Sequence, residues 1–265
     1  MEILIVGAGA MGSLFSKYLL EEHEVSVHDI DRSRVEELSR RLCVKPQWEL
    51  RGLGNFDSAL VCTPISTVAP IVEVISREMR EGSVVMEISS VKSPVIGAMR
   101  KLKLRGILGI SFHPLFGPGL REFSSGKAAV IEVSDLKEEI SYLSSLFPFK
   151  LIPMSLDEHD KAMAWLGLIH LVMNAFLSSS DEYSEALASA STTTISWFLR
   201  VAMATLTQGE NLSQELITQN PYFEGCLRDF LSDLGSKDFG KIRGKIKRWV
   251  RIMDPEEAYK LLYTV

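Results

Sequence analysis

Residues 3–12 read ILIVGAGAMG. The four apolar residues ILIV make a short buried strand, and the hexapeptide GAGAMG (7–12) follows at once. A G-x-G-x-x-G that leaves a strand and opens a helix is the fingerprint of a dinucleotide-binding βαβ unit. Gly7 permits the tight turn, Gly9 lets the backbone approach a pyrophosphate, and Gly12 lets the helix pack on the strand. Ala8, Ala10 and Met11 complete the loop, where the helix N-terminus offers unpaired N–H groups to phosphates. The acid expected at the end of the second strand is Asp29. A carboxylate there accepts hydrogen bonds from both adenosine ribose hydroxyls and repels a 2′-phosphate, which favours NAD. Arg32 and Arg34 follow closely and leave NADP open.

Outward from this loop, β-rich runs alternate with amphipathic segments. Strands are expected at 25–29, 58–64, 83–89, 106–113, 128–133 and 150–153, and helices at 13–22, 31–42, 68–79 and 136–146. That alternation predicts an α/β fold with a Rossmann-type, mostly parallel sheet over residues 1–153. Beyond Pro153 the strand pattern fades and helical patterns run on, punctuated at Asp181, Gly209, Asn220–Pro221 and Gly235. Residues 154–265 are therefore expected to form an all-helical C-terminal domain. Thr63-Pro64 closes the strand at 58–64 and would lie at the carboxyl edge of the sheet, where a dinucleotide passes. Thr63 there either contacts the cofactor or serves the turn.

The 265 residues are 46% hydrophobic and carry a formal net charge of −5 with both signs mixed. A nucleic-acid partner would call for a basic face, so none is expected. Cys43, Cys62 and Cys226 are widely spaced and form neither a Cys-x-x-Cys pair nor a zinc pattern, which suggests reduced thiols in a cytoplasm. No signal peptide is expected ahead of EILIV. The apolar run Met163–Leu177 contains His170 and Asn174 and is expected to be a core helix, too short and too polar to span a membrane.

The segment ISFHPLFGPGL (110–120) places His113 at the end of a strand and ahead of a proline- and glycine-stiffened loop. Its imidazole would emerge at the carboxyl edge, on the nicotinamide side. A histidine titrates near neutrality, and a held imidazole is suited to take a proton while hydride leaves to a cofactor.

GAGAMG, Asp29, SSVKSP (89–94), HPLFGP (113–118) and EHDKAMA (158–164) occur in the order found in prephenate and arogenate dehydrogenases, a family the chain resembles over nearly its whole length. The resemblance implies a Rossmann domain followed by a helical domain that binds substrate and forms a homodimer. It implies NAD-dependent oxidative decarboxylation of prephenate to 4-hydroxyphenylpyruvate, a step of tyrosine biosynthesis, or the corresponding conversion of arogenate to tyrosine, with no metal. On this resemblance His113 is the base for the C4 hydroxyl, and Ser90 hydrogen-bonds both the histidine and that hydroxyl. Lys92 matches a family lysine that binds substrate, or stands solvated ahead of a helix capped by Ser93 and begun by Pro94. His170 faces the substrate or is a core histidine. His159 with Asp160 is expected to be a structural pair at a helix start. Arg200, the only lysine or arginine between Lys161 and Arg228, would grip the ring carboxylate, or snorkel at the surface. Some relatives carry that arginine one helix later, where this chain has Gln214-Glu215.

Two other readings fit the same scaffold. A β-hydroxyacid-type dehydrogenase would place a lysine in the helix that here holds His170 and Asn174. A non-catalytic NAD-sensing module would need neither a base at the nicotinamide end nor a cation in the helical domain.

Overall fold

The computed structural model describes residues 1–208 and 210–263. Gly209, read above as a helix break, lies outside them. The chain divides into two compact units, Met1–Met163 and Ala164–Val265.

The first unit is built on one eight-stranded sheet of order β3-β2-β1-β4-β5-β6-β7-β8. The strands are β1 (Glu2–Val6), β2 (Glu24–His28), β3 (Lys45–Pro46), β4 (Ser58–Val61), β5 (Val84–Glu87), β6 (Leu108–Pro114), β7 (Lys127–Ile131) and β8 (Lys150–Met154). All pairings from β3 through β6 are parallel; β7 runs antiparallel to β6, and β8 is parallel to β7. The sheet is the expected mostly parallel one, with its inner strands β1, β4, β5, β6 and β7 buried on both faces. β4 (SALV) is buried at every position, which is why its sequence reads as a continuous run rather than an alternation.

Helices α1 (Ala10–Leu19), α2 (Arg32–Leu42), α3 (Ile65–Glu78), α4 (Ile96–Lys101) and α5 (Leu136–Leu146) cover the sheet. An aromatic cluster fastens β6 to α1. Phe15 meets Phe112 and Phe147 edge-on at centroid distances of 6.1 and 5.4 Å, and Phe147 stacks on Phe149 at 5.0 Å. Each buried ring contributes about 1.5–3 kcal/mol of transfer free energy. With Phe112 anchored there, the pleat turns its neighbour His113 to the opposite face of the sheet.

Three expectations change. Helix α1 begins at Ala10 rather than Ser13, because the Gly9 carbonyl already accepts from the Ser13 N–H at 2.8 Å. Helix α4 begins at Ile96; Ser93 and Pro94 do not cap it, since the Ser93 amide and hydroxyl both donate to Asp160. The compact units divide at 163/164, ten residues past the expected 153/154, inside helix α6 (Leu156–Ser179). The first turns of α6 stay with the sheet because His159 and Asp160 bond to it.

The second unit holds the rest of α6 and further helices, among them α7 (Ser184–Ser189), α8 (Thr193–Thr205), α9 (Glu210–Thr218) and α10 (Phe223–Ser236). Helix α6 corrects one expectation. At 24 residues it is long and apolar enough, by length and composition, to cross a membrane, and only 22% of its apolar window is buried within the chain. The apolar run had looked too short because the helix starts seven residues ahead of it. Trp165 and Ile169 on α6 are 45% and 48% exposed, so this stretch is not the core helix expected.

Candidate active site

The glycine loop sits at the carboxyl end of β1. Gly7 has φ +109°, a left-handed conformation open to glycine, and its N–H donates to His28 O at 2.7 Å. A Cβ on Gly12 would stand 1.8 Å from the Gly7 carbonyl oxygen, so α1 can approach β1 only through a hydrogen. A Cβ on Gly9 would meet nothing within 4 Å. Two glycines therefore serve the fold and Gly9 faces free space. Substitution should separate these roles. Gly12→Ala should lower stability by about 1–3 kcal/mol, the usual cost of overpacking, in a urea titration. Gly9→Ala should leave the urea midpoint nearly unchanged and weaken dinucleotide binding, read by calorimetry.

Asp29 follows β2 and ties the loop down: Oδ2 accepts the Ala8 N–H at 2.7 Å and Oδ1 the Asp31 N–H at 2.9 Å. A carboxylate has about four acceptor sites, so capacity for a ribose remains. Both nearby arginines are engaged, Arg32 over the Trp48 ring at 5.6 Å and Arg34 with Asp31 at 3.4 Å. Beside the loop, an open cleft of about 1020 Å³ is lined by residues that include Gly9, Ala10, Ser13, Arg41 and Arg121, and these two cations suit a pyrophosphate. At the end of β4, the Thr63 hydroxyl is buried without a hydrogen-bond partner among the described residues. An orphaned hydroxyl at that edge, with the free space at Gly9, fits a dinucleotide laid across the carboxyl ends of β1 and β4.

Further along the same edge, past β5, lies His113 near the end of β6, with 8% of its surface exposed. Its Nδ1 is 3.1 Å from His159 Nε2, and His159 Nδ1 is 2.8 Å from Asp160 Oδ1. His159 and Asp160 are placed by a capping box at the start of α6. The Glu158 carboxylate accepts from the Ser155 amide and hydroxyl, and the Ser155 Oγ accepts from the Glu158 N–H. Asp160 also accepts the N–H groups of Lys92 and Ser93 at 2.9 and 2.8 Å. Behind His113, the fully buried Lys92 donates to Glu87 Oε1 at 2.8 Å and to the Phe112 carbonyl at 2.7 Å. Glu87 in turn accepts from Ser111 Oγ and the Ser89 N–H.

Burial, then the nearby Lys92 ammonium and His159, hold the His113 pKa well below the ordinary imidazole value, so the ring is neutral at working pH. Burial likewise lowers Lys92, against the opposing pull of Glu87. For Asp160 burial acts upward, but hydrogen bonds from His159, Ser93 and the backbone outweigh it and hold the carboxyl below its usual range.

Residues 15–133 match the family described as prephenate dehydrogenase, nucleotide-binding domain. A probable arogenate/prephenate dehydrogenase of Methanocaldococcus jannaschii is 24% identical over 184 residues, covering 66% of this chain and 40% of the relative. The chain thus matches less than half the length of that curated relative. The nucleotide-binding part of the chain is thus similar to that of prephenate and arogenate dehydrogenases. In fold it resembles the prephenate dehydrogenase of Aquifex aeolicus, solved with hydroxyphenyl propionate and NAD+, at TM-score 0.73 and 16% identity over 98% of this chain and 97% of that one. It also resembles Synechocystis arogenate dehydrogenase, at TM-score 0.70 and 19% identity over 98% and 100% of the two chains.

Within this scaffold, the first unit brings His113 and Lys92 together and pairs Lys92 with a buried carboxylate. Its ammonium faces Glu87 with no exposed surface, so it does not stand in solvent. Ser90 is half-buried, and no hydrogen bond joins it to His113 among the described residues; His159 takes that place. His159, read as a structural pair with Asp160, is the partner sequence reasoning missed. In the second unit His170 is buried and its Nδ1 is 3.0 Å from Ser213 Oγ. Arg200 is exposed, with its guanidinium 5.7 Å from the centre of the Trp197 ring, so its apolar neighbours do not bury it.

Proposed function

We propose that the chain is an NAD-dependent dehydrogenase that oxidatively decarboxylates prephenate, with His113 as the general base. The observation that carries this reading is a buried imidazole near the end of β6, on the sheet edge that begins at the glycine loop. Bound there, the nicotinamide would supply the hydride acceptor. His113 takes the C4 hydroxyl proton as that carbon is oxidised, and loss of carbon dioxide from the ring then yields the aromatic product. Prephenate and arogenate differ only in a keto against an amino group on the side chain. Arogenate as the substrate is therefore the alternative reading, supported by the M. jannaschii relative whose description names both.

Asp29 and the engagement of Arg32 and Arg34 with Trp48 and Asp31 favour NAD over NADP. Arg200 remains our candidate for the ring carboxylate, and its exposed guanidinium is free to reorient onto one. His170 would line the same substrate. The exposed apolar side chains of α6 and α8, Ile169 at 48% and Met203 at 54% among them, support assembly as a homodimer.

The test is formation of reduced cofactor, followed at its absorbance band, with prephenate and arogenate each crossed with NAD and NADP. Turnover of prephenate with NAD is expected. Turnover of neither substrate with either cofactor would overturn the reading. Asp29→Asn should lower kcat/KM for NAD by about 10–100-fold, the worth of a hydrogen bond to a charged group, and should leave NADP use less affected.

A further inference from the structure

Resting on the reading of His113 as the base, we propose that His159 and Asp160 are positioning residues that fix the His113 tautomer and then hold the proton it receives.

Asp160 collects at least four donors: the amides of Lys92 and Ser93, the Ser93 hydroxyl and His159 Nδ1. A carboxylate so surrounded is ionised and can only accept. His159 must therefore carry its proton on Nδ1. When His159 is neutral, its Nε2 is a lone pair. The only way to make the 3.1 Å contact with His113 Nδ1 a hydrogen bond is for His113 to donate. That leaves the lone pair of neutral His113 on Nε2, the ring nitrogen for which no hydrogen bond is found among the described residues. In the opposite tautomer two lone pairs would face each other across a buried contact, with no water to relieve them. The chain Asp160–His159–His113 thus orients a base through a second imidazole.

The same chain gives the proton a place to go. The substrate O–H bond breaks as an N–H bond forms at His113 Nε2. The Nδ1 proton of His113 can then cross to His159 Nε2, and the imidazolium charge comes to rest beside the Asp160 carboxylate. No oxidant or further reactant enters this step. Return of that proton to His113 Nδ1 and loss of the Nε2 proton to solvent resets the pair. Among the described residues, the charged groups around the pair are Lys92 in the β5–α4 connection, Asp160 on α6 and, through its ion pair with Lys92, Glu87 on β5. With both histidines neutral these sum to one negative charge, so uptake of one proton brings the cluster to neutrality.

The experiment has two arms on the full-length protein. The first needs no substrate: ¹⁵N NMR of the imidazoles, assigned by single-histidine replacement among the chain's five histidines. Protonated Nδ1 and bare Nε2 are expected for both His113 and His159. In His159→Leu the His113 tautomer should become mixed. A predominant Nε2–H tautomer of His113 in the unsubstituted protein would overturn the proposal. The second arm is kinetic. His159→Leu should lower kcat by roughly 10²–10³-fold, within the span general-base catalysis supplies, with KM and NAD affinity little changed. His159→Gln keeps an acceptor for His113 Nδ1 but cannot take a proton, so it should recover part of the loss and shift the pH dependence of kcat. If both His159 variants turn over normally while His113→Asn is inactive, the relay fails and the base stands. If His113→Asn is also fully active, the reading beneath it fails as well. Should Leu unfold the protein, the Gln variant and the tautomer measurement still decide.

Discussion

His113→Asn is expected to lower kcat by about 10²–10⁴-fold, the contribution typical of a positioned general base. Asparagine is close to imidazole in size at Nδ1 and can keep a hydrogen bond to His159, but it offers no basic nitrogen. NAD affinity should be unchanged, because the glycine loop and Asp29 lie across β4 and β5 from the substitution. The pairing of lost turnover with intact cofactor binding separates a dehydrogenase from a dinucleotide sensor, in which residue 113 would be silent. Steady-state kinetics with calorimetric NAD titration of the same sample provide both numbers. Full activity would remove His113 from the reaction.

Lys92→Met is expected to destabilise the protein by about 3–5 kcal/mol, because it leaves a buried carboxylate without its partner. Glu87 and Lys92 have no exposed surface, and their ion pair also engages the Phe112 carbonyl and Ser111 beneath His113. Methionine replaces the stem of lysine at similar volume, so the cost is electrostatic rather than a cavity. Adding Glu87→Gln removes the stranded charge and should recover a large part of the loss, which a double-mutant cycle by urea denaturation measures. A Lys92→Met midpoint equal to that of the unsubstituted protein would show that the pair contributes nothing net.

What was legible in the sequence follows the range over which each feature is determined. The strands ILIV and SALV announce themselves because both faces are buried and every position is apolar. The glycine loop is legible because its chemistry is local: each glycine answers a clash or a positive φ within a few residues. Asp29 is found by its distance from that loop along one βαβ unit. The direction of β7 is not legible, since a strand carries no local mark of whether it runs with or against its neighbour. Ser93-Pro94 shows how local rules fail. Serine before proline is a good helix start, yet its hydroxyl finds Asp160, 67 residues on, and the helix waits until Ile96. Lys92 looked like a surface residue because its partner is set by the sheet. Glu87, a lone acid closing the apolar run VVME, was the available clue. His159 was passed over because an acidic, polar helix start explains itself without function. Only the fold brings it 3.1 Å from His113.

The most direct test is a crystal structure of the protein with NAD and a product analogue bound. The account predicts His113 Nε2 turned toward the nicotinamide ring and about 2.6–3.2 Å from the analogue's ring oxygen, with Nδ1 still on His159. A nicotinamide bound at that edge with the His113 ring sealed away from it, and another side chain on the oxygen, would contradict it.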